Sequence, residues 1–181
     1  MSLAYKLRKA EKTIQRLSAA DREIALAICG EIRAAQEALQ KASRSLMAQC
    51  IQGCEGLCCR NGQFDEIIDF WDFVLILLSC PSERAAIRGC IEKEIPLFTA
   101  DCVFLAKGTG PCIFPPNTRP EVCIVTFCAD ASAIKKEITR VKWKFIKLGL
   151  FIRFRKPIGW LRHLDGRRKK GRYPGCLKRS I

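Results

Sequence analysis

Residues 50–59 read CIQGCEGLCC and place Cys50, Cys54, Cys58 and Cys59 in one short stretch; a second set follows at Cys102, Cys112, Cys123 and Cys128. Closely spaced thiols on glycine-bearing turns let several sulfurs converge on one cation, at ~2.3 Å for zinc. Cys thiolates alone also hold iron–sulfur clusters. Two other uses of cysteine compete, the disulfide and the small buried hydrophobe. Adjacent Cys58 and Cys59 bridge each other only through a strained ring. Packing residues would sit on apolar helix faces, whereas these eight lie in loops beside Gly53, Gly56, Gly110 and several prolines. The only histidine, His163, lies far away in a basic tail. An all-sulfur site follows, which favours iron–sulfur or zinc and disfavours magnesium or calcium. We expect a metal centre drawn from these eight cysteines, with an iron–sulfur cluster preferred over zinc. Eight thiols exceed one four-ligand site, so either two centres form or some are spare.

The elements that must position these thiols are mostly helical. From Leu7 to Leu46 the apolar residues recur at helical spacing, among them Ile14, Leu17, Ile24, Ile28, Ile32, Ala35, Leu39, Ala42 and Leu46. The pattern is one long helix or two, jointed near LSAAD where Ser18 or Asp21 could cap the second. Cys29 falls beside Ile28 and near Ile32, a place for a core thiol. After the first cysteine loop, QFDEIIDFWDFVLILLSCPSERAAIRGCIEKEI predicts two helices split at Pro81, the second starting at Ser82 and Glu83. Asp65, Asp69 and Asp72 would form a solvated face opposite Ile68, Trp71, Leu75 and Leu78, and Cys80 and Cys90 would pack. Between Asp101 and Asp130, Gly-Thr-Gly, Pro115-Pro116 and Arg119-Pro120 exclude long regular elements and leave short strands or knuckles joined by turns. Finally Ile134, Ile138, Val141, Phe145, Leu148 and Ile152 recur at helical spacing among lysines and arginines. This is a basic amphipathic helix that runs out by Pro157, with IRFRK an alternative extended stretch.

The fold class expected is therefore mainly α. It has an N-terminal long helix or helix pair (1–49), an irregular cysteine-rich metal-binding core with short strands and turns (50–131), and a C-terminal basic amphipathic helix and tail (132–181). At 181 residues the chain is long enough to bury a core without covalent staples. Its charge is unevenly placed. Residues 135–181 carry 17 Lys and Arg against Glu137 and Asp165, while the other 134 residues carry 15 basic and 16 acidic groups. The formal +14 belongs to the C-terminal quarter, so any attraction to acidic partners rests there. The favoured reading of this helix is that its apolar stripe packs on the domain while its charges are solvated; alternatively, lysines and arginines mixed with Trp143, Phe145, Phe151, Phe154 and Trp160 suit a partner helix or an anionic membrane surface contacted through residues 133–162. Nucleic-acid phosphates are a less favoured partner.

The start, MSLAYKLRKAEKTIQRL, has no continuous apolar stretch and no small-residue cleavage site. The most apolar run, Phe73 to Leu78, falls far short of the roughly 20 residues of a spanning helix. A cytoplasmic chain, peripheral at the membrane through its basic helix, is expected. In that reducing compartment clustered cysteines more often bind metal or do redox chemistry than form structural disulfides.

In combination these motifs resemble the YkgJ-type cysteine-cluster family, which is described as zinc- or iron-chelating. That family pairs a CxxCxxCC-like opening with a later C-x-x-L, a G-x-C and an R-P-x-x-C. Here Cys50, Cys54, Cys58 and Cys59 stand for the first, and Cys102-Val103-Phe104-Leu105 for the second. Gly110-Pro111-Cys112 matches the third and Arg119-Pro120-Glu121-Val122-Cys123 the fourth, so the resemblance covers roughly residues 50–128. The first motif has spacings of three where two is usual, Val103 stands where proline is frequent, and one extra residue separates Cys112 from Arg119. Cys128 lies outside the family pattern. Arg119 is read as the anchor of a turn, hydrogen-bonded to backbone carbonyls. A related cysteine motif occurs in flagellin lysine N-methylase, but AKGTGP, the only Gly-rich piece resembling a nucleotide-binding turn, lies between cysteines and not between a strand and a helix. With one distal histidine and no carboxylate pair standing out, catalysis is unsupported. The function expected is that of a metal-binding cysteine-cluster protein with an unidentified redox or protein partner. The alternative is a structural zinc protein whose basic helix binds a membrane surface, an acidic partner or nucleic acid.

Overall fold

The structure is a computed structural model; it describes residues 2–46, 48, 67–93, 102–105, 112–114, 118–125 and 130–154. Six α-helices and one 3-10 helix lie among them: α1 (Leu3–Gln15), α2 (Ala19–Ala42), α3 (Phe70–Ser79), α4 (Glu83–Glu92), α5 (Glu121–Val125), the 3-10 turn Ser132–Ile134, and α6 (Lys135–Phe154). The mainly helical class is present. The short strands expected around the second cysteine set are not: among the described residues the only β pairing is an isolated antiparallel bridge between Leu105 and Cys112.

The N-terminal pattern resolves into a helix pair. Ser18 is the joint: its Oγ accepts the Asp21 N–H at 3.1 Å and donates to the Asp21 carboxylate at 2.8 Å. That local pair satisfies a donor at the new N-terminus, where a helix otherwise leaves its first N–H groups without partners. The buried stripe on this pair holds Ile14, Leu17, Ile28, Ile32, Ala35 and Leu39, while Ile24 faces out.

α3 is the central element. Its sequence FWDFVLILLS is apolar almost all round, and every residue from Phe73 to Leu78 is buried. A helix apolar on all sides must be enclosed, and α1, α2, α4 and α6 enclose it. Trp71 lies against Gly149 of α6, close enough that a Cβ there would sit 3.4 Å from the indole. A capping box starts α3, with Asp69 as N-cap and Asp72 as its third residue. The expected solvated face of Asp65, Asp69 and Asp72 holds for Asp69, which is exposed, and is corrected for Asp72, which is 5% exposed because it turns into the cap; Asp65 lies outside the described residues. Pro81 follows the end of α3, as its missing N–H requires.

α6 packs mainly along α2 through Val141, Phe145, Leu148 and Ile152. Lys144 and Lys147 both reach Glu31 of α2 at 2.7 Å. Ile152, Arg153 and Phe154 are helical, so the start of IRFRK is not extended. One hydrophobic core joins residues from the first segment, the cysteine segment and the last helix. Among the described residues no helix is long and apolar enough to cross a membrane.

Candidate metal centre

The second cysteine set is assembled from very short pieces. Cys102 opens a turn in which the Leu105 N–H donates to the Cys102 carbonyl at 3.0 Å. The next arm pairs with it: the Ile113 N–H donates to the Phe104 carbonyl at 2.8 Å, beside the Leu105–Cys112 bridge. Phe104 and Phe114 hold the two arms from beneath, both fully buried with ring centroids 4.9 Å apart. Two aromatic rings thus do for this segment what a ladder of hydrogen bonds would do in a sheet. Cys102 is buried and Cys112 half-buried.

The Arg119-Pro120-Glu121-Val122-Cys123 stretch is docked by its backbone. Gln36 of α2 donates through Nε2 to the Arg119 carbonyl at 3.5 Å. Asp72 of α3 accepts the Glu121 N–H through Oδ1 at 2.7 Å and the Asp69 N–H through Oδ2 at 3.0 Å. Pro120 lies one residue before α5, and its carbonyl accepts the Cys123 N–H at 3.1 Å. Arg119 does not anchor the turn through its Nε, a buried atom without a hydrogen-bond partner among the described residues. The anchors are Gln36 and Asp72, neither of which stands out as a site residue in the sequence. The one signal for Asp72 was the Asp69-x-x-Asp72 spacing of a capping box.

Electrostatics follow from burial. Asp72 is pushed up to about 6 by burial, against the Glu121 and Asp69 N–H donors; the Asp69 carboxylate raises it and Arg33 lowers it. Arg33 is pulled down to about 10 by its own burial, in spite of Cys29 and Asp72 nearby. Burial also pushes the Cys29 thiol up to about 12, and Cys29 is a core residue. Cys112 is raised by burial as well. Three smaller influences act on it: a hydrogen bond from the Phe114 N–H and the Arg119 charge lower it, and Cys90 of α4 raises it.

Cys90, read from the sequence only as a packing residue, thus acts electrostatically on the Cys112 thiol. Cys80 is buried, as expected of a packing residue, and is in addition disulfide-bonded. Of the eight expected ligands, Cys102, Cys112 and Cys123 are described, and Cys50, Cys54, Cys58, Cys59 and Cys128 lie outside the described residues. Among the described residues no three Cys, His, Asp or Glu side chains converge so as to hold a metal ion. The sulfurs of Cys102, Cys112 and Cys123 are donors of the type that soft cations take.

Comparison of the chain with family models, with curated proteins and with solved structures gives no match.

Proposed function

We propose that this chain is a thiolate metal-binding protein whose ligands are drawn from Cys50, Cys54, Cys58, Cys59, Cys102, Cys112, Cys123 and Cys128, less any that pairs with the disulfide-bonded Cys80. An iron–sulfur cluster is preferred, zinc is the alternative, and Cys90 joins the pool by its nearness to Cys112. The observation that carries this reading is the Leu105–Cys112 bridge, with the Ile113 N–H donated to the Phe104 carbonyl at 2.8 Å, which sets Cys102 and Cys112 on two paired arms. Burial keeps Cys112 protonated, and a cation is the partner that would turn it into a thiolate. The sequence resemblance to the cysteine-cluster family supports the pool apart from Cys128 and Cys90. The remaining ligands would come from cysteines outside the described residues.

Structural zinc contributes about 10–16 kcal/mol of apparent folding energy in small peptides at neutral pH. A contribution of that order would hold the proline- and glycine-rich segment around residues 102–125 against the first cysteine loop. An iron–sulfur cluster would supply electron transfer as well, its potential set by hydrogen bonds to sulfur and by exposure.

The deciding experiment is elemental analysis with a visible spectrum on full-length protein purified without oxygen. Iron with acid-labile sulfide and broad visible absorption supports a cluster protein with a redox partner. Stoichiometric zinc without colour supports the structural alternative. Metal-free protein that takes up neither iron nor zinc on reconstitution overturns the reading.

A further inference from the structure

The amphipathic stripe that the sequence offers to a membrane is not available to one. Val141, Phe145, Leu148 and Ile152 are buried against the rest of the core. The opposite face of α6 carries a second row. Trp143 is 64% exposed, Ile146 47% and Phe154 55%, and half-buried Leu150 lies between them. At 100° per residue these four positions fall within about 80° of one another. Trp143, Ile146 and Phe154 are three of the seven large hydrophobic side chains exposed among the described residues, drawn up on one helix.

The charge around this row has one sign. Lys135, Lys142 and Arg153 flank it on one side and Lys136 and Arg140 on the other, all of them exposed. None of the five has an ion pair among the described residues, in contrast to Lys144 and Lys147, which Glu31 neutralises. The single acid of α6, Glu137, falls about 120° round the helix from Trp143. The sequence then continues from residue 155 to 181 with ten Lys and Arg against Asp165 alone.

We propose that this outer face of α6 docks in the plane of an anionic lipid bilayer surface. The indole of Trp143 and the ring of Phe154 would enter the headgroup boundary while the flanking cations meet lipid phosphates and carboxylates. Trp is the side chain best suited to that boundary, with an apolar body and one N–H donor. A row of cations on both sides of an apolar line is the pattern of an interfacial helix. Phosphate contacts to nucleic acid would use the cations but leave Ile146, Leu150 and Phe154 in water. Buried α2-facing residues keep the helix folded before it meets lipid, so docking costs no helix formation. The proposal is independent of the thiols.

The test uses the full chain carrying Trp160→Phe, so that half-buried Trp71 and exposed Trp143 are the remaining indoles. It is mixed with phosphatidylcholine vesicles, with or without phosphatidylserine, and with the same vesicles carrying brominated chains. A blue-shifted emission quenched by brominated lipid, on the phosphatidylserine vesicles alone, is expected. In sedimentation, Trp143→Ser and Phe154→Ser should each lower vesicle partition by about tenfold, with unchanged circular dichroism. Emission indifferent to anionic vesicles overturns the proposal. So does undiminished sedimentation of the folded Trp143→Ser chain, which would leave binding to the polybasic segment, and so does salt-sensitive binding to duplex DNA or RNA without vesicle binding.

Discussion

The backbone N–H of Glu121 donates to Oδ1 of Asp72 at 2.7 Å, across 49 residues of chain. Asp72 is the third residue of a buried apolar helix, and Glu121 begins the short helix that carries Cys123. The bond fixes where an irregular cysteine-bearing segment meets the helical frame. Removing the carboxylate in Asp72→Ala leaves two donors, from Glu121 and Asp69, without an acceptor, and should cost roughly 2–5 kcal/mol in chemical denaturation. Asp72→Asn retains one acceptor and should cost less.

The same residue gives a pH signature. Its folded value is raised from 3.8 to about 6, by burial first. A carboxyl that holds its proton better folded than unfolded supports the native state below about pH 4. That support is withdrawn as pH rises through about 6. The difference in stability between the native chain and Asp72→Asn should therefore change across this window. A difference that stays flat from pH 4 to pH 7 would contradict the placement of Asp72.

Glu31 has the opposite sign. Burial raises it, but hydrogen bonds from Lys144 and Lys147 outweigh burial and leave its value lowered from 4.5. Its contribution is present above about pH 4.5 and is lost as pH falls through the folded value. Glu31→Gln should cost about 1–2 kcal/mol at neutral pH, between exposed and buried pairs. The gap should close in acid, as measured by thermal unfolding at several pH values.

The two faces of α6 should respond differently to truncation. Leu148 is fully buried and Ile146 is exposed. Leu148→Ala should cost roughly 2–5 kcal/mol, whereas Ile146→Ala should stay within about 0.5 kcal/mol. Denaturant titration of both variants decides which face is packed.

Two helical glycines offer gains. A Cβ at Gly89 meets nothing within 4 Å, so Gly89→Ala should stabilise by about 0.5–1 kcal/mol through helix propensity. At Gly149 a methyl would reach ordinary contact with Trp71. Gly149→Ala should be neutral to mildly stabilising there, and Gly149→Leu should displace the indole and lower the melting temperature.

The thiols separate in the same way. Cys58→Ser and Cys112→Ser should each lower bound metal and melting temperature, while Cys29→Ser and Cys176→Ser leave the metal content unchanged. Equal metal loss in all four variants would contradict the ligand pool.

The sequence by itself determined the helices and their punctuation. Ser18 caps, Pro81 stops, and the spacing from Ile14 to Leu39 and from Ile134 to Ile152 follows from side-chain periodicity and local hydrogen bonding, which neighbouring residues settle among themselves. It also announced the thiols, because their types and crowding are visible without coordinates. Only the tertiary structure decided which polar groups go inside. Asp72 and Gln36 read as surface residues until α2, α3 and the Arg119–Glu121 stretch close around them, and their partners are 49 and 83 residues away. The tertiary structure likewise decided which apolar row of α6 faces water, since both rows are helically spaced and only the packing against α2 distinguishes them. It also brought Cys90 near Cys112. Local rules fix what a residue and its near neighbours do; burial and long-range pairing depend on which surfaces meet, and that is set by the whole chain at once.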